Sequence, residues 1–151
     1  SLIQMRPEGG AGFGTLEWVA YASNAFNTMV PFHADVDETP EYLANTTGEV
    51  STENFYWTSR MIAAMADASY GKSLFHVEHY QENVLAKSHA LINQYDALLV
   101  DEKDPEKQME LKRKANRKVA EMVQKEASAT LKKVLYELSN QMKNSYARSD
   151  V

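Results

Sequence analysis

The sequence predicts an α+β chain in which a short antiparallel β segment is followed by a long helical hairpin. Short aromatic and β-branched runs, together with five of the six glycines and three of the four prolines, occupy the first 50 residues. Beyond them, the helix-breaking residues are only Gly71 and Pro105, which leaves room for long helices. We therefore expect a β-rich segment of an incomplete domain over residues 1–50 and a helical region over residues 51–151.

The composition is typical of one soluble domain. Of the 151 residues, 44% are hydrophobic and 25% are charged, close to globular averages. No apolar run approaches the roughly 18–20 residues of a membrane-spanning helix, and the first residues lack signal-peptide features. The sequence contains no cysteine, which excludes disulfides, thiolate metal sites and a thiol nucleophile within it. We expect a cytoplasmic protein that binds no membrane.

The first strand is expected at Leu2–Met5 and ends before Pro7, because proline cannot donate to a strand ladder. Four glycines within residues 9–14 then indicate a mobile or tightly turned loop. This cluster lacks the third glycine of a dinucleotide-binding motif, since Thr15 stands at that position, and no Gly-Lys-Ser/Thr follows. We therefore interpret it as a loop and not as a phosphate site.

Two further strands are expected before residue 50. The second spans Leu16–Ala22, where an apolar set alternates with Glu17, Val19 and Tyr21. The third lies around Phe26–Phe32. An acidic, irregular connection follows over residues 35–51.

Three helices are expected in the second region. The first spans about 52–70, with Ser51 or Thr52 as a hydroxyl N-cap and Gly71 as the C-terminal stop. The second runs over about 74–100, where apolar residues recur with helical spacing.

The third helix is expected over about 105–146, because Asp104 suits the N-cap and Pro105 suits the first helical position. At 1.5 Å per residue it would be about 60 Å long, which exceeds the width of a compact domain of this size. The second helix can cover part of it as an antiparallel hairpin. Something else must cover the rest.

Charge is divided unevenly along the chain. Residues 1–100 hold four Lys/Arg and twelve Asp/Glu, whereas residues 101–151 hold twelve Lys/Arg and nine Asp/Glu. The two parts could attract each other or form separate solvated faces. We favour solvated faces, because both signs are interleaved throughout.

The histidines match no metal motif. His76 and His79 are three residues apart, whereas zinc proteases space two histidines by four, and no Glu has a His three residues later as di-iron bundles require. His89 is ten residues further on and does not complete a set. We interpret these residues as surface or interface histidines and expect neither a metal nor a cofactor.

The remaining charged clusters also have ordinary interpretations. Asp35, Asp37 and Glu38 resemble the start of a calcium loop, but the later glycine and glutamate are missing, so we expect an acidic solvated turn. The basic run at 112–118 has acidic flanks and no interleaved aromatics, which argues against nucleic-acid binding. No serine or threonine lies in a recognisable nucleophile motif.

Several short stretches nevertheless occur in a familiar order: Ile3–Pro7, Leu16–Ala20, Phe26–Phe32, Thr39–Tyr42, and Phe55–Trp57 with Arg60. Together they resemble the later part of the bacterial dipeptidase A family, which is related to secernins and, more distantly, to choloylglycine hydrolases and penicillin acylases. These landmarks cover residues 1–70. Residues 71–151 resemble the family only in their helical character.

The resemblance implies the N-terminal-nucleophile hydrolase fold, in which two stacked β-sheets lie between helical layers. Members attack the peptide carbonyl with an N-terminal cysteine whose α-amino group serves as the base. Because this sequence has no cysteine, we assign no catalytic residue and leave the substrate-binding residues open. We interpret Trp18, Asn27, Pro31 and Trp57 as strand-packing and turn residues and not as pocket lining.

The expected function is that of a C-terminal fragment of a dipeptidase, inactive alone, whose partner strands and nucleophile lie in a missing N-terminal portion. The expected partners are a dipeptide substrate for the parent protein and either a second copy or the missing portion. One alternative is a non-enzymatic helical dimerisation or interaction module, suggested by the length of the third helix. Another is a fragment of a related amidase that acts on bile salts or penicillins.

Overall fold

The computed structural model describes residues 1–7 and 13–142, and the predicted α+β class is confirmed. Strands and helices follow in the order β1 (Leu2–Met5), β2 (Thr15–Val19), β3 (Val30–His33), α1 (Glu41–Ala44), α2 (Phe55–Ala68), α3 (Tyr70–Leu99) and α4 (Pro105–Ser139). The strands form one antiparallel sheet in the order β1-β2-β3. The helices of the second region therefore follow a small sheet built by the first.

The sheet register gives β2 two different faces. Leu16 and Trp18 are buried, whereas Glu17 and Val19 on the other face are partly exposed. Glu17 lies opposite Ile3 of β1 and Phe32 of β3. The alternation predicted for this strand is therefore present in the fold.

Two strand boundaries differ from the prediction. The second strand ends at Val19 and not at Ala22, because Ala22 has a φ of 59° and cannot continue an extended backbone. The third begins at Val30 and not at Phe26, because the chain turns there: the Phe26 N–H donates to the Ser23 carbonyl (3.1 Å). Residues 24–26 thus form a turn, and residues 27–29 connect it to β3.

Both predicted ends of the first long helix were wrong. The N-cap of α2 is Asn54, whose buried side chain accepts a hydrogen bond from the Trp57 N–H (2.8 Å). Ser51 instead accepts from the N–H of Glu53 within the preceding turn (3.0 Å). Gly71 does not stop the helix, because α2 ends at Ala68 and Gly71 lies in the first turn of α3.

α4 begins as predicted and ends earlier. The Asp104 carboxylate accepts from the N–H of Glu106 (3.1 Å), and Pro105 occupies the first helical position. The helix ends at Ser139, and residues 143–146 of the predicted span lie outside the described residues. Its 35 residues correspond to about 52 Å.

Three elements of the same chain cover α4. α3 runs antiparallel to it, with the ion pairs Lys87–Glu126 and His76–Glu137 at successive levels of the hairpin. α2 packs across the same helix through buried apolar side chains that include Ile62, Ala66, Val123 and Val134. β3 lies beside its N-terminal half. The further cover that the length of this helix required is thus supplied by α2 and β3.

Within residues 1–7 and 13–142, the structure contains no helix with both the length and the apolar character needed to cross a membrane.

Candidate functional site

A cleft of about 480 Å³ lies on the sheet face that carries Glu17. Its floor and walls include Glu17, Val19, Tyr21, Phe32, Leu43 and Asn116. The cleft is therefore framed by β2, β3, the residues after β3, α1 and one side chain of α4. Its volume is in the range of small-ligand sites, and its lining combines apolar side chains with several polar ones.

Glu17 is the carboxylate that the sheet itself contributes to this cleft. It stands in the middle of β2, partly buried, with the apolar side chains of Ile3 and Phe32 as its cross-strand neighbours. No lysine, arginine or histidine nitrogen of the described residues lies within 4.0 Å of its oxygens. Glu17 thus has no ion-pair partner within 4.0 Å among the described residues, and Ser1, the first residue of the chain, also lines the cleft.

The second carboxylate on the cleft, Glu38, is already paired. Arg117 of α4 donates to both of its oxygens (2.7 and 2.8 Å). These hydrogen bonds hold the pKa of Glu38 below its usual value. Glu38 is thus bound to α4, whereas Glu17 has no such partner among the residues that the structure describes.

Glu38 belongs to an acidic segment that is attached to α4 by ion pairs. Lys112 donates to Asp35 (2.5 Å), and Arg113 donates to both oxygens of Asp37 (2.8 Å each). The hydrogen bonds from Arg113 lower the pKa of Asp37. The acidic segment is exposed to solvent, as the sequence suggested, but its carboxylates are also paired with α4. The preference for separate solvated faces was wrong here, because the acidic part and the basic helix attract each other directly.

Tyr21 connects the cleft to an aromatic cluster. Its ring packs edge-on against Phe55 (5.4 Å between centroids) and Tyr56 (5.9 Å). Burial raises the pKa of Tyr21, and the nearby charge of Glu17 raises it further. Tyr21 is therefore a neutral hydroxyl near Glu17 under physiological conditions.

Asn116 closes the outer edge of β3. Its Oδ1 accepts from the His33 N–H (2.7 Å), and its Nδ2 donates to the His33 carbonyl (3.1 Å). Because the Ala34 N–H bonds to the Thr15 carbonyl on the β2 side (2.9 Å), the backbone groups of His33 point away from β2. The Asn116 amide thus takes the place of a neighbouring strand.

The imidazole of His33 is buried beneath this edge. Burial lowers its pKa to about 4, and the positive charge of Arg6 contributes in the same direction. Arg6 itself is held by the Asp96 carboxylate (2.7 and 2.9 Å) and donates to the Phe13 carbonyl (2.6 Å). This polar group joins the start of the sheet to the end of α3 and serves the fold.

The other histidines lie apart from the cleft. His76 pairs with Glu137 (3.2 Å), His79 packs on Phe75 (4.5 Å between centroids), and His89 packs on Trp18. The described residues contain no group of three or more metal-binding side chains.

The four sequence landmarks Trp18, Asn27, Pro31 and Trp57 are not among the side chains that line the cleft. Trp18 donates its indole N–H to a β1 side chain (2.9 Å). Asn27 donates to two backbone carbonyls (3.1 and 3.2 Å), and Trp57 donates to a loop carbonyl (2.9 Å). Their contacts are those of packing and turn residues.

Another groove, of about 410 Å³, runs along the outer side of the α3–α4 hairpin. Its floor is apolar and its rim carries Lys87, Lys118 and Lys125. Lys87 and Lys118 have acidic partners in the hairpin. This groove offers flexible surface side chains, whereas the sheet cleft offers a partly buried charge on a rigid strand, so we take the cleft as the candidate site.

Sequence reasoning did not single out Glu17 or Asn116 as site residues. The sequence did indicate the position of Glu17. Glu17, Val19 and Tyr21 alternate with the apolar residues of the second strand and therefore lie on its opposite face. No signal identified Asn116, because its partner His33 is 83 residues away.

Comparisons with known proteins point to one family. The family model "Peptidase family C69" matches residues 1–83. Probable dipeptidase A of Streptococcus pyogenes serotype M18 (strain MGAS8232) is 38% identical over 150 residues, which are 99% of this chain and 31% of the relative. A dipeptidase of Bifidobacterium longum (strain NCC 2705) is 32% identical over 188 aligned residues, which cover 99% of this chain and 35% of the relative.

A more distant relative matches a shorter stretch of the chain. Probable dipeptidase B of Lactococcus lactis subsp. lactis (strain IL1403) is 28% identical over 95 residues, which are 63% of this chain and 20% of the relative. The chain spans about a third of the length of the first two relatives. Their similarity extends through the helical hairpin, where the sequence resemblance had rested on helical character alone.

Proposed function

The chain belongs to peptidase family C69, and from this premise we propose that it is the C-terminal part of a dipeptidase that hydrolyses short peptides. The observation that supports this most strongly is the similarity to dipeptidases over 99% of the chain. A cleft of about 480 Å³ on the sheet is large enough for two amino-acid residues, which span about 7 Å when extended.

In this proposal, the nucleophile is a cysteine in a portion of the protein outside this sequence, which has none. Its thiolate attacks the peptide carbonyl carbon, and the α-amino group of the same residue accepts the thiol proton and later delivers it to the leaving amine. Water then hydrolyses the thioester and releases the second product. This chain contributes one sheet edge and one wall of the substrate cleft.

The exposed first strand supports a partner portion at that edge. Leu2, Ile3 and Met5 are 58%, 55% and 79% exposed, which is unusual for three apolar residues of one strand. The other edge of the sheet is closed, because Pro31 has no N–H and the Asn116 amide binds the backbone N–H and C=O of His33. The sheet can therefore be extended at β1, and a second sheet can cover its open face, as in an N-terminal-nucleophile hydrolase.

The interaction-module alternative loses its main support. It depended on a third helix that this chain cannot cover, and α2, α3 and β3 cover it. The dipeptidase names of the relatives likewise favour peptides over bile salts or penicillins. We further propose a cytoplasmic location, which the absence of cysteine crosslinks in this sequence allows.

The test is hydrolysis of an unblocked dipeptide by the full-length protein that contains this chain, before and after treatment with iodoacetamide. We expect hydrolysis that alkylation abolishes, and no hydrolysis by the 151-residue chain alone. Because this chain has no thiol, loss of activity would locate the reactive cysteine in the other portion. Activity that survives complete alkylation, or a full-length protein without dipeptidase activity, would contradict the proposal.

A further inference from the structure

Glu17 has an environment that favours a bound cation. Its carboxylate lies on a rigid strand between the apolar side chains of Ile3 and Phe32, and it is partly withdrawn from water. Removing a charge from water without pairing it costs free energy. A positive group from outside the described part of the chain would offset this cost by pairing with the Glu17 carboxylate.

Three other polar groups of the cleft do not compete for that cation. Glu38 is held by two hydrogen bonds from Arg117. Tyr21 keeps its proton, because burial and the charge of Glu17 raise its pKa. Asn116 uses its amide on the backbone of His33. Of the two carboxylates on this cleft, Glu17 is thus the one without an ion pair among the described residues.

The positive group common to all unblocked dipeptides is the α-ammonium at the amino end. We propose that Glu17 binds this α-ammonium group and so selects peptides with a free amino terminus. The inference rests on the proposed dipeptidase function and adds a substrate-binding residue to it. The apolar walls formed by Val19, Phe32 and Leu43 would then contact the first side chain of the substrate.

The test compares kcat and KM of the full-length protein for alanyl-alanine and for its N-acetyl derivative, in wild type and in Glu17→Gln. Glutamine keeps the size of the side chain and removes its charge. We expect Glu17→Gln to lower kcat/KM for the free dipeptide by about 30-fold or more, mainly through KM, as is typical when one partner of a desolvated charge pair is removed. The value for the acetylated dipeptide should change little, so the preference for the free amino end shrinks.

Two further variants make the result specific. Glu17→Asp keeps the charge and should retain most of the preference. Glu121→Gln makes the same charge change at an exposed residue paired with Lys118 on the hairpin and should leave the preference at the wild-type value.

Three results would overturn the inference. The preference could remain unchanged in Glu17→Gln, or both substrates could lose activity equally, as expected if Glu17 pairs with a basic side chain of the other portion. Wild type could also hydrolyse both substrates equally well. If wild type hydrolyses neither substrate, the proposed function fails as well. That outcome differs from an active enzyme whose preference for the free amino terminus does not depend on Glu17.

Discussion

At the residue scale, the clearest dependence is that of β3 on Asn116. This side chain is 3% exposed and makes both hydrogen bonds to the His33 backbone. Asn116→Ala leaves a buried N–H and a buried C=O without partners, so we expect the free energy of unfolding to fall by about 2–4 kcal/mol. Urea titration measures this change. Asn93→Ala, at an exposed position of α3, is the control and should change stability by less than about 0.5 kcal/mol. Equal effects of both variants would show that the strand edge does not need this amide.

His33 predicts a specific pH dependence. Its pKa is lowered from the usual 6.5 of a histidine to about 4 in the folded protein, so the unfolded chain binds the proton first as pH falls. The free energy of unfolding is therefore highest above pH 6.5. It falls by about 1.4 kcal/mol per pH unit from there down to pH 4 through this group alone. Urea titrations at several pH values should show a smaller slope between pH 4.5 and 6.5 in His33→Gln than in wild type. Identical slopes would mean that His33 titrates normally in the folded state.

At the element scale, the start of α2 distinguishes two candidate caps. Asn54 is 2% exposed and accepts the Trp57 N–H, whereas Ser51 stabilises only the preceding turn. We expect Asn54→Ala to lower the free energy of unfolding by about 1–2 kcal/mol, measured by urea titration. Ser51→Ala should cost clearly less. A larger loss of stability in Ser51→Ala than in Asn54→Ala would instead support the N-cap that the sequence suggested.

The same helix shows what could be predicted from the sequence and what could not. Residues 51–54 offer several capping side chains in succession, and local rules do not choose among them. The choice follows from the burial of Phe55 immediately after Asn54. In contrast, Asp104-Pro105 gave the start of α4 correctly, because the cap and the proline agree on one position. Element type was predictable where local signals agree, and boundaries failed where tertiary packing decides.

The candidate site shows the same limit over longer distances. Period-two alternation already placed Glu17 on the face opposite Trp18. The pairing of Glu38 with Arg117, however, joins residues 79 positions apart. That pairing is what leaves Glu17 as the available carboxylate in the cleft, so the special position of Glu17 emerges only from the complete fold.

At the scale of the whole molecule, the two edges of the sheet predict how the isolated 151-residue chain behaves. Among the described residues, no strand pairs with the outer side of β1, and Ile3 and Met5 of this strand are 55% and 79% exposed. The β3 edge, in contrast, is closed by Asn116. An uncovered edge strand with apolar side chains is a template for pairing with another chain. We therefore expect the isolated 151-residue chain to self-associate through β1 in sedimentation velocity at rising concentration.

Charged substitutions distinguish this edge from the helical hairpin. Ile3→Lys with Met5→Lys should convert the isolated chain to a monomer, because two lysines on an open edge oppose pairing. Phe75→Lys with Leu98→Lys introduces the same charge at exposed positions of α3, which are 62% and 49% exposed in the wild type, and should leave association intact.

If the hairpin variant becomes monomeric and the β1 variant does not, the interaction-module alternative regains its support. If the β1 variant alone becomes monomeric, the same surface is the place where the other portion of a dipeptidase would complete the sheet. In the full-length protein, the β1 substitutions should then lower stability and dipeptide hydrolysis, whereas the hairpin substitutions should not.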